Sequence, residues 1–210
     1  MTARNNIRVL RRSDADRRSG IMEEMLDNGI IYVSGPVTTE MAHAFCAQVM
    51  YVSNQDLQRD ITIYINSPGG SVSDGLAMID ICRSVPNPIH TIGWGVCASM
   101  GAVLVACAAD RGRRSAMPNC ELMLHQPSTG VQGQATDIVI AAEHVLKTWA
   151  RLNSLIAAAC NQPIERVEND FNADKWFSAD EALAYGLIDR VLEPSPSPLA
   201  DNDIKENCHE

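Results

Sequence analysis

The sequence predicts an α/β fold organised on a parallel sheet. Short β-branched runs alternate with longer helical patterns, which is the pattern of strands joined by helical crossovers. Two of those runs end in tight, small-residue corners that open helices. With 210 residues at 46% hydrophobic content, the chain fills one core and falls short of two ordinary domains. The expected organisation is a single domain over 20–193, a flexible arginine-rich arm over 1–19 and a disordered polar tail over 194–210.

Gly29–Val33 is the first clear strand and Ile61–Asn66 the second. Ser67-Pro-Gly-Gly70 ends that second strand, and the apolar spacing of Leu76, Met78, Ile79 and Cys82 predicts a helix after it. Ile89–Trp94 is the third strand, reaching Gly95, after which the small-residue segment Ala98–Ala102 opens a helix with Ser99 at the corner. Cys120–His125 is the next strand, with His125 at its end. Gly130–Gly133 reads as an extended excursion before a long helix near Thr136–Ala159. A shorter helix starts at Pro163, and Ser178-Ala-Asp-Glu181 forms a capping box for the last one. Asp174 falls in the loop between those two helices.

Composition narrows the function. Seven cysteines, mostly within apolar stretches and without a C-x-x-C pair, read as reduced, buried thiols. The net charge of −9 is unevenly spread: Arg4, Arg8, Arg11, Arg12, Arg17 and Arg18 face only Asp14 and Asp16 in the arm, leaving an acidic body. Such a body argues against a duplex-DNA footprint; the arm is open to reading as a nucleic-acid tail, a docking segment or a solvated terminus, of which contact with protein or solvent is the favoured reading. No basic start followed by an apolar run is present, and Val96–Ala109 is too short to span a bilayer; we expect a soluble, cytoplasmic protein with no membrane partner. His43, His90, His125, His144 and His209 are scattered without metal-ligand spacing, so no metal is expected.

Three positions carry nucleophilic chemistry. Gly69 and Gly70 can adopt backbone angles closed to other residues, so their amides can turn toward a ligand, although Gly-Gly after Ser-Pro is ordinarily just a turn. An isolated serine at a helix start is ordinarily an N-cap, yet Ala98, Gly101 and Ala102 leave the Ser99 hydroxyl little obstructed beside a helix N-terminus. His125 sits at a strand terminus, where α/β proteins bind ligands, and Asp174 has the chemistry to hold an imidazole tautomer. Taken singly, His125 reads as a half-buried histidine and Asp174 as a surface carboxylate.

Together the motifs are more specific. Tyr64-Ile-Asn-Ser-Pro-Gly-Gly70, Ala98-Ser-Met-Gly-Ala102, Met123-Leu-His-Gln-Pro127 and Gly133-Gln-Ala-Thr-Asp-Ile138 stand in the order and spacing of a known family. Leu146-Lys147, Arg151-Leu-Asn153, Phe177-Ser-Ala-Asp-Glu-Ala182 and Tyr185-Gly-Leu-Ile-Asp189 extend the similarity over about residues 28–192. The chain resembles the proteolytic subunit of the Clp protease. The resemblance implies a serine endopeptidase with Ser99 as nucleophile, His125 as general acid and base, Asp174 as orienting carboxylate, and the Gly70 and Met100 amides as oxyanion donors.

It further implies a crotonase-like spiral of parallel strands and helices with a protruding handle helix. Gly69, Gly130, Val131 and Gln132 would pair with an extended substrate strand. Two stacked heptameric rings, of this chain or mixed with homologues, would enclose the sites, and a hexameric AAA+ Clp ATPase would feed in unfolded polypeptides. The subunit itself would need no cofactor: ATP would be used by the ATPase, in keeping with the absence of a G-x-x-x-x-G-K-[ST] loop. Departures lie at Ser19–Leu26, which lacks the family's tyrosines, and at Val96-Cys97, where the family often has smaller or more polar residues. Cys97 reads as packed, since no neighbouring cation would activate it. Two alternatives remain open: a catalytically silent subunit of a mixed ring, and a crotonase-fold acyl-CoA enzyme that would not need Ser99.

Overall fold

The computed structural model describes residues 14–126 and 133–193. Helix α1 (Asp14–Asp27) leads into β1 (Ile30–Ser34). The expected arm over 1–19 is therefore corrected at its inner end, where the backbone is helical from Asp14; Leu26, packed on the core, anchors this helix. Residues 1–13 and the tail over 194–210 lie outside the described residues.

Next comes α2 (Thr39–Gln55), a helix missing from the sequence reading. Its signal is present in Thr38, whose side chain accepts the Met41 amide at the N-cap, and in buried Phe45, Val49 and Val52 at helical spacing. Strand β2 (Ile61–Ser67) buries every second residue, and α3 (Val72–Ser84) starts on the Ser71 cap. Strand β3 (Ile89–Ala98) runs four residues beyond the expected Trp94 end, because the register slips between Ile65 and Ser67 at Gly95 and pairing then resumes as Ser67↔Cys97. Helix α4 (Met100–Cys107) follows at once and is buried along its whole length.

The remaining elements are β4 (Arg114–Ala116), β5 (Glu121–Leu124), α5 (Ala135–Cys160), α6 (Ile164–Asp170), β6 (Lys175–Phe177), α7 (Ala179–Tyr185) and β7 (Arg190–Val191). Pro163, expected as the first helical residue, is instead the N-cap of α6, whose first helical residue is Ile164. Ser178 caps α7 through the expected box with Glu181. In the sheet the order is β1-β2-β3-β4-β7, with β5 pairing both β3 and β6. Every pairing is parallel except β5 with β6. The α/β class and the predominantly parallel sheet are as the sequence predicts.

Arg114 locks one end of this sheet. Its side chain is 1% exposed, meets Asp189 through Nε (2.9 Å) and Nη2 (2.6 Å), and donates through Nη1 to the carbonyls of Ala106 and Ala159. The ends of α4 and α5 and the approach to β7 are thus held by one guanidinium. Burial alone would raise Asp189, but hydrogen bonds from Arg114 and from the Arg114 and Gly112 amides outweigh it and hold the carboxyl below its ordinary range.

Candidate active site

Ser99 occupies the corner between β3 and α4 with φ 52° and ψ −122°, a conformation that a side chain bearing Cβ rarely adopts. Its side chain makes no capping hydrogen bond, so the N-cap reading does not hold here. Strain of this kind costs about 1–3 kcal/mol and persists where surrounding contacts over-determine it. Those contacts are visible. The Ser99 amide donates to the Met123 carbonyl at 2.7 Å, tying the corner to β5. On the other side Gly69 (φ +91°) packs so closely that a Cβ there would lie 2.6 Å from the Ser99 Cβ and 2.8 Å from the Met100 nitrogen. Only a glycine permits that approach.

His125 is the first residue past β5, and Asp174 the last before β6. The antiparallel pairing sets Leu124 opposite Lys175, so continuing the register by one residue faces His125 with Asp174. Their side chains meet with Nδ1 3.3 Å from Oδ1. Asp174 lies in the connection between α6 and α7, as the sequence predicts, and the short strand β6 that follows it, which the sequence does not announce, sets it against His125. The segment is pinned from below by Asp170, which accepts from Lys175 Nζ (2.6 Å) and Tyr185 Oη (2.9 Å), and Gln126 donates to the Asn172 carbonyl at 3.1 Å.

Ser99 and His125 line one small cavity of about 20 Å³, whose apolar wall includes Val72, Met100, Val103, Trp149, Leu152 and Phe171. Trp149 and Phe171 escaped the sequence reading; Trp149 lies on a long amphipathic helix, where an aromatic is indistinguishable from core. Among the described residues the Gly70 and Met100 amides have no hydrogen-bond acceptor. Gly70 is held beside Val37, whose carbonyl accepts the Ser71 amide and whose amide donates to Gly69.

A family model described as Clp protease matches residues 13–195. The ATP-dependent Clp protease proteolytic subunit of Ligilactobacillus salivarius (strain UCC118) is 45% identical over 181 residues, covering 86% of this chain and 91% of that protein. The chain belongs to the Clp protease family.

As a Clp protease chain it is a serine endopeptidase of the Clp type. The structure brings Ser99, His125, Asp174, Gly70 and Met100 into one neighbourhood. Gly69 needs correction as a residue pairing with substrate: its amide donates to Ser67 Oγ at 3.1 Å and its carbonyl accepts the Val37 amide at 2.8 Å, so its amide is spent inside the fold. Its contribution is the space it leaves for Ser99. Gly130, Val131 and Gln132 lie outside the described residues.

The described cysteines are free, and all but half-buried Cys46 are buried; burial pushes the Cys82, Cys107 and Cys160 thiols up to about 12. Cys97, beside the nucleophile, is 0% exposed and gives its S–H to the Ile65 carbonyl, as a packed thiol does. No cluster of three or more His, Cys, Asp or Glu side chains among the described residues is arranged to hold a metal ion. No described helix is long and apolar enough to cross a membrane.

Proposed function

We propose that Ser99, His125 and Asp174 form the catalytic triad of this Clp protease chain, hydrolysing peptide bonds of unfolded polypeptides. The 3.3 Å approach of His125 Nδ1 to Asp174 Oδ1, with Ser99 on the same cavity, carries the reading. Asp174 holds the His125 tautomer that leaves Nε2 free to accept the Ser99 proton as the hydroxyl attacks the substrate carbonyl. Negative charge developing on the carbonyl oxygen meets the Gly70 and Met100 amides, the latter at the first turn of α4. His125 then protonates the departing amine, and water releases the acyl group from Ser99. The apolar wall formed by Val72, Met100 and Trp149 borders the scissile bond.

The chemistry closes with protein groups alone, so the subunit uses no cofactor. We further place the chain in an ATP-dependent Clp system in the cytoplasm, as two stacked heptameric rings fed by a hexameric Clp ATPase that spends the ATP. Exposed Ile140 (67%) and Leu146 (65%) on α5 supply apolar side chains for the contact between rings. The silent-subunit alternative calls for a broken His–Asp pair, and the acyl-CoA alternative leaves the strained Ser99 corner without purpose; both are less economical.

Fluorophosphonate labelling of the native protein, with the modified peptide located by mass spectrometry, tests the triad. Modification at Ser99 is expected, absent from Ser99→Ala and lost in His125→Ala. An assembled ring that stays unlabelled with its ATPase present refutes the assignment.

A further inference from the structure

Cys97 and Cys120 face one another beneath the Ser99 corner, their sulfurs 3.9 Å apart and their surfaces 0% and 1% exposed. Cys97 precedes Ser99 by two residues on β3, and Cys120 immediately precedes β5, the strand that ends at His125. The two strands run parallel with Cys97 opposite Leu122. Gly93 borders both sulfurs: a Cβ there would lie 3.2 Å from that of Cys120 and 3.3 Å from that of Cys97, so the missing side chain leaves the pair room to approach. Exposed Pro118 and Asn119 directly precede Cys120, whose amide closes their turn on the Met117 carbonyl at 3.0 Å. Cys120 is therefore one residue from solvent-exposed backbone.

We propose that Cys97 and Cys120 are a hydroperoxide-reactive dithiol, and that their oxidation to a disulfide switches off the Ser99–His125 site. The consequence for activity rests on the triad reading above. The hydrogen bond between the two sulfurs, with burial added, pushes the Cys97 thiol up and lowers Cys120, and Cys120, directly after the exposed Pro118 and Asn119, is the sulfur assigned to meet the peroxide as its thiolate. Its thiolate attacks one peroxide oxygen, the O–O bond breaks, and hydroxide leaves Cys120 as a sulfenic acid. The Cys97 sulfur then attacks the Cys120 sulfur, the S–O bond breaks, and the departing hydroxide takes the Cys97 proton. In sum two thiols and one hydrogen peroxide give one disulfide and two waters.

A disulfide holds its sulfurs about 2.05 Å apart, so closing the 3.9 Å gap requires the two side chains to rotate and the backbone that carries them to shift. Met123 lies on β5 and Ser99 directly follows β3, so the hydrogen bond between them ties the nucleophile's placement to both strands. Misplacing a reacting group by about 1 Å costs on the order of 10²-fold in rate.

The test treats the assembled protein with hydrogen peroxide, maps peptides without reduction, and follows fluorophosphonate labelling of Ser99. We expect a Cys97–Cys120 linked peptide, labelling slowed at least tenfold, and recovery of both with dithiothreitol. Cys120→Ala, or Cys120→Ser should the alanine variant not fold, keeps its labelling rate through the same treatment. No linked peptide under conditions that oxidise half-buried Cys46, or a linked peptide with unchanged labelling, overturns the switch alone. A reduced protein that does not label at all overturns the nucleophile assignment and the switch with it.

Discussion

Ser99 and Asp174 divide two kinds of constraint between them. Ser99 is held in a left-handed backbone conformation by its bond to Met123 and by the close approach of Gly69, so its environment fixes the hydroxyl before substrate arrives. Asp174 is 64% exposed at its side chain, and among the described residues its one ion-pair contact is His125. Removing its charge therefore costs the fold little and the chemistry a great deal. Asp174→Asn should lower kcat/KM on a peptide substrate roughly 10³–10⁴-fold, because the amide supports the wrong imidazole tautomer. Its thermal midpoint should stay within about 2 °C of wild type, as for other exposed substitutions. Stopped-assay kinetics and a calorimetric melt on the same preparation check both halves, and a full-rate Asn variant removes Asp174 from the triad.

Pairs of elements decide whether those residues meet. Strands β5 and β6 bring His125 and Asp174 together by register, while the Arg114–Asp189 pair anchors β4 against the approach to β7 and the ends of α4 and α5. Asp189→Asn leaves a guanidinium that is 1% exposed without its charge partner and should cost about 3–5 kcal/mol in urea unfolding at neutral pH. The pH dependence has a definite sign. The folded Asp189 carboxyl titrates below the unfolded value of about 3.9, so its stabilising contribution is complete above that pH. It is lost as the pH falls through the folded value. Asp170 is held low as well: burial would raise it, and Lys175 and Tyr185 outweigh that effect. Wild type should therefore lose stability steeply below about pH 4, and Asp189→Asn should show a shallower fall. Equal slopes in the two proteins would show that Asp189 does not drive acid unfolding.

For the molecule as a whole, the core beneath the sheet leaves an apolar face outside. Ile138, Val139, Ile140 and Leu146 on α5 are 43%, 57%, 67% and 65% exposed, a cost that a monomer has no reason to bear. In the proposed double ring this face is the contact between rings. Ile140→Asp with Leu146→Asp should shift the sedimenting species from the double ring to single rings or smaller, with each chain still folded because neither residue belongs to the core. Unchanged sedimentation would move the ring contact elsewhere.

Much of this protein was legible in its sequence because the responsible interactions are local. β-branched runs fixed the strands at Ile61 and Ile89, Ser178 and Glu181 announced their capping box, and the segments around Gly70, Ser99 and His125 identified the family before any contact was known. The signal for helix α2 is local as well, in its Thr38 cap and the spacing of Phe45, Val49 and Val52. Other features had no local signal. The continuation of β3 through Gly95, the antiparallel β6 that sets Asp174 against His125, the burial of Arg114 against Asp189, and the meeting of Cys97 with Cys120 all join segments distant in the chain. Residue chemistry limits which partners are acceptable, but the collapse of the core around α4 decides which ones meet, since burial is shared by the whole chain and encoded at no single position.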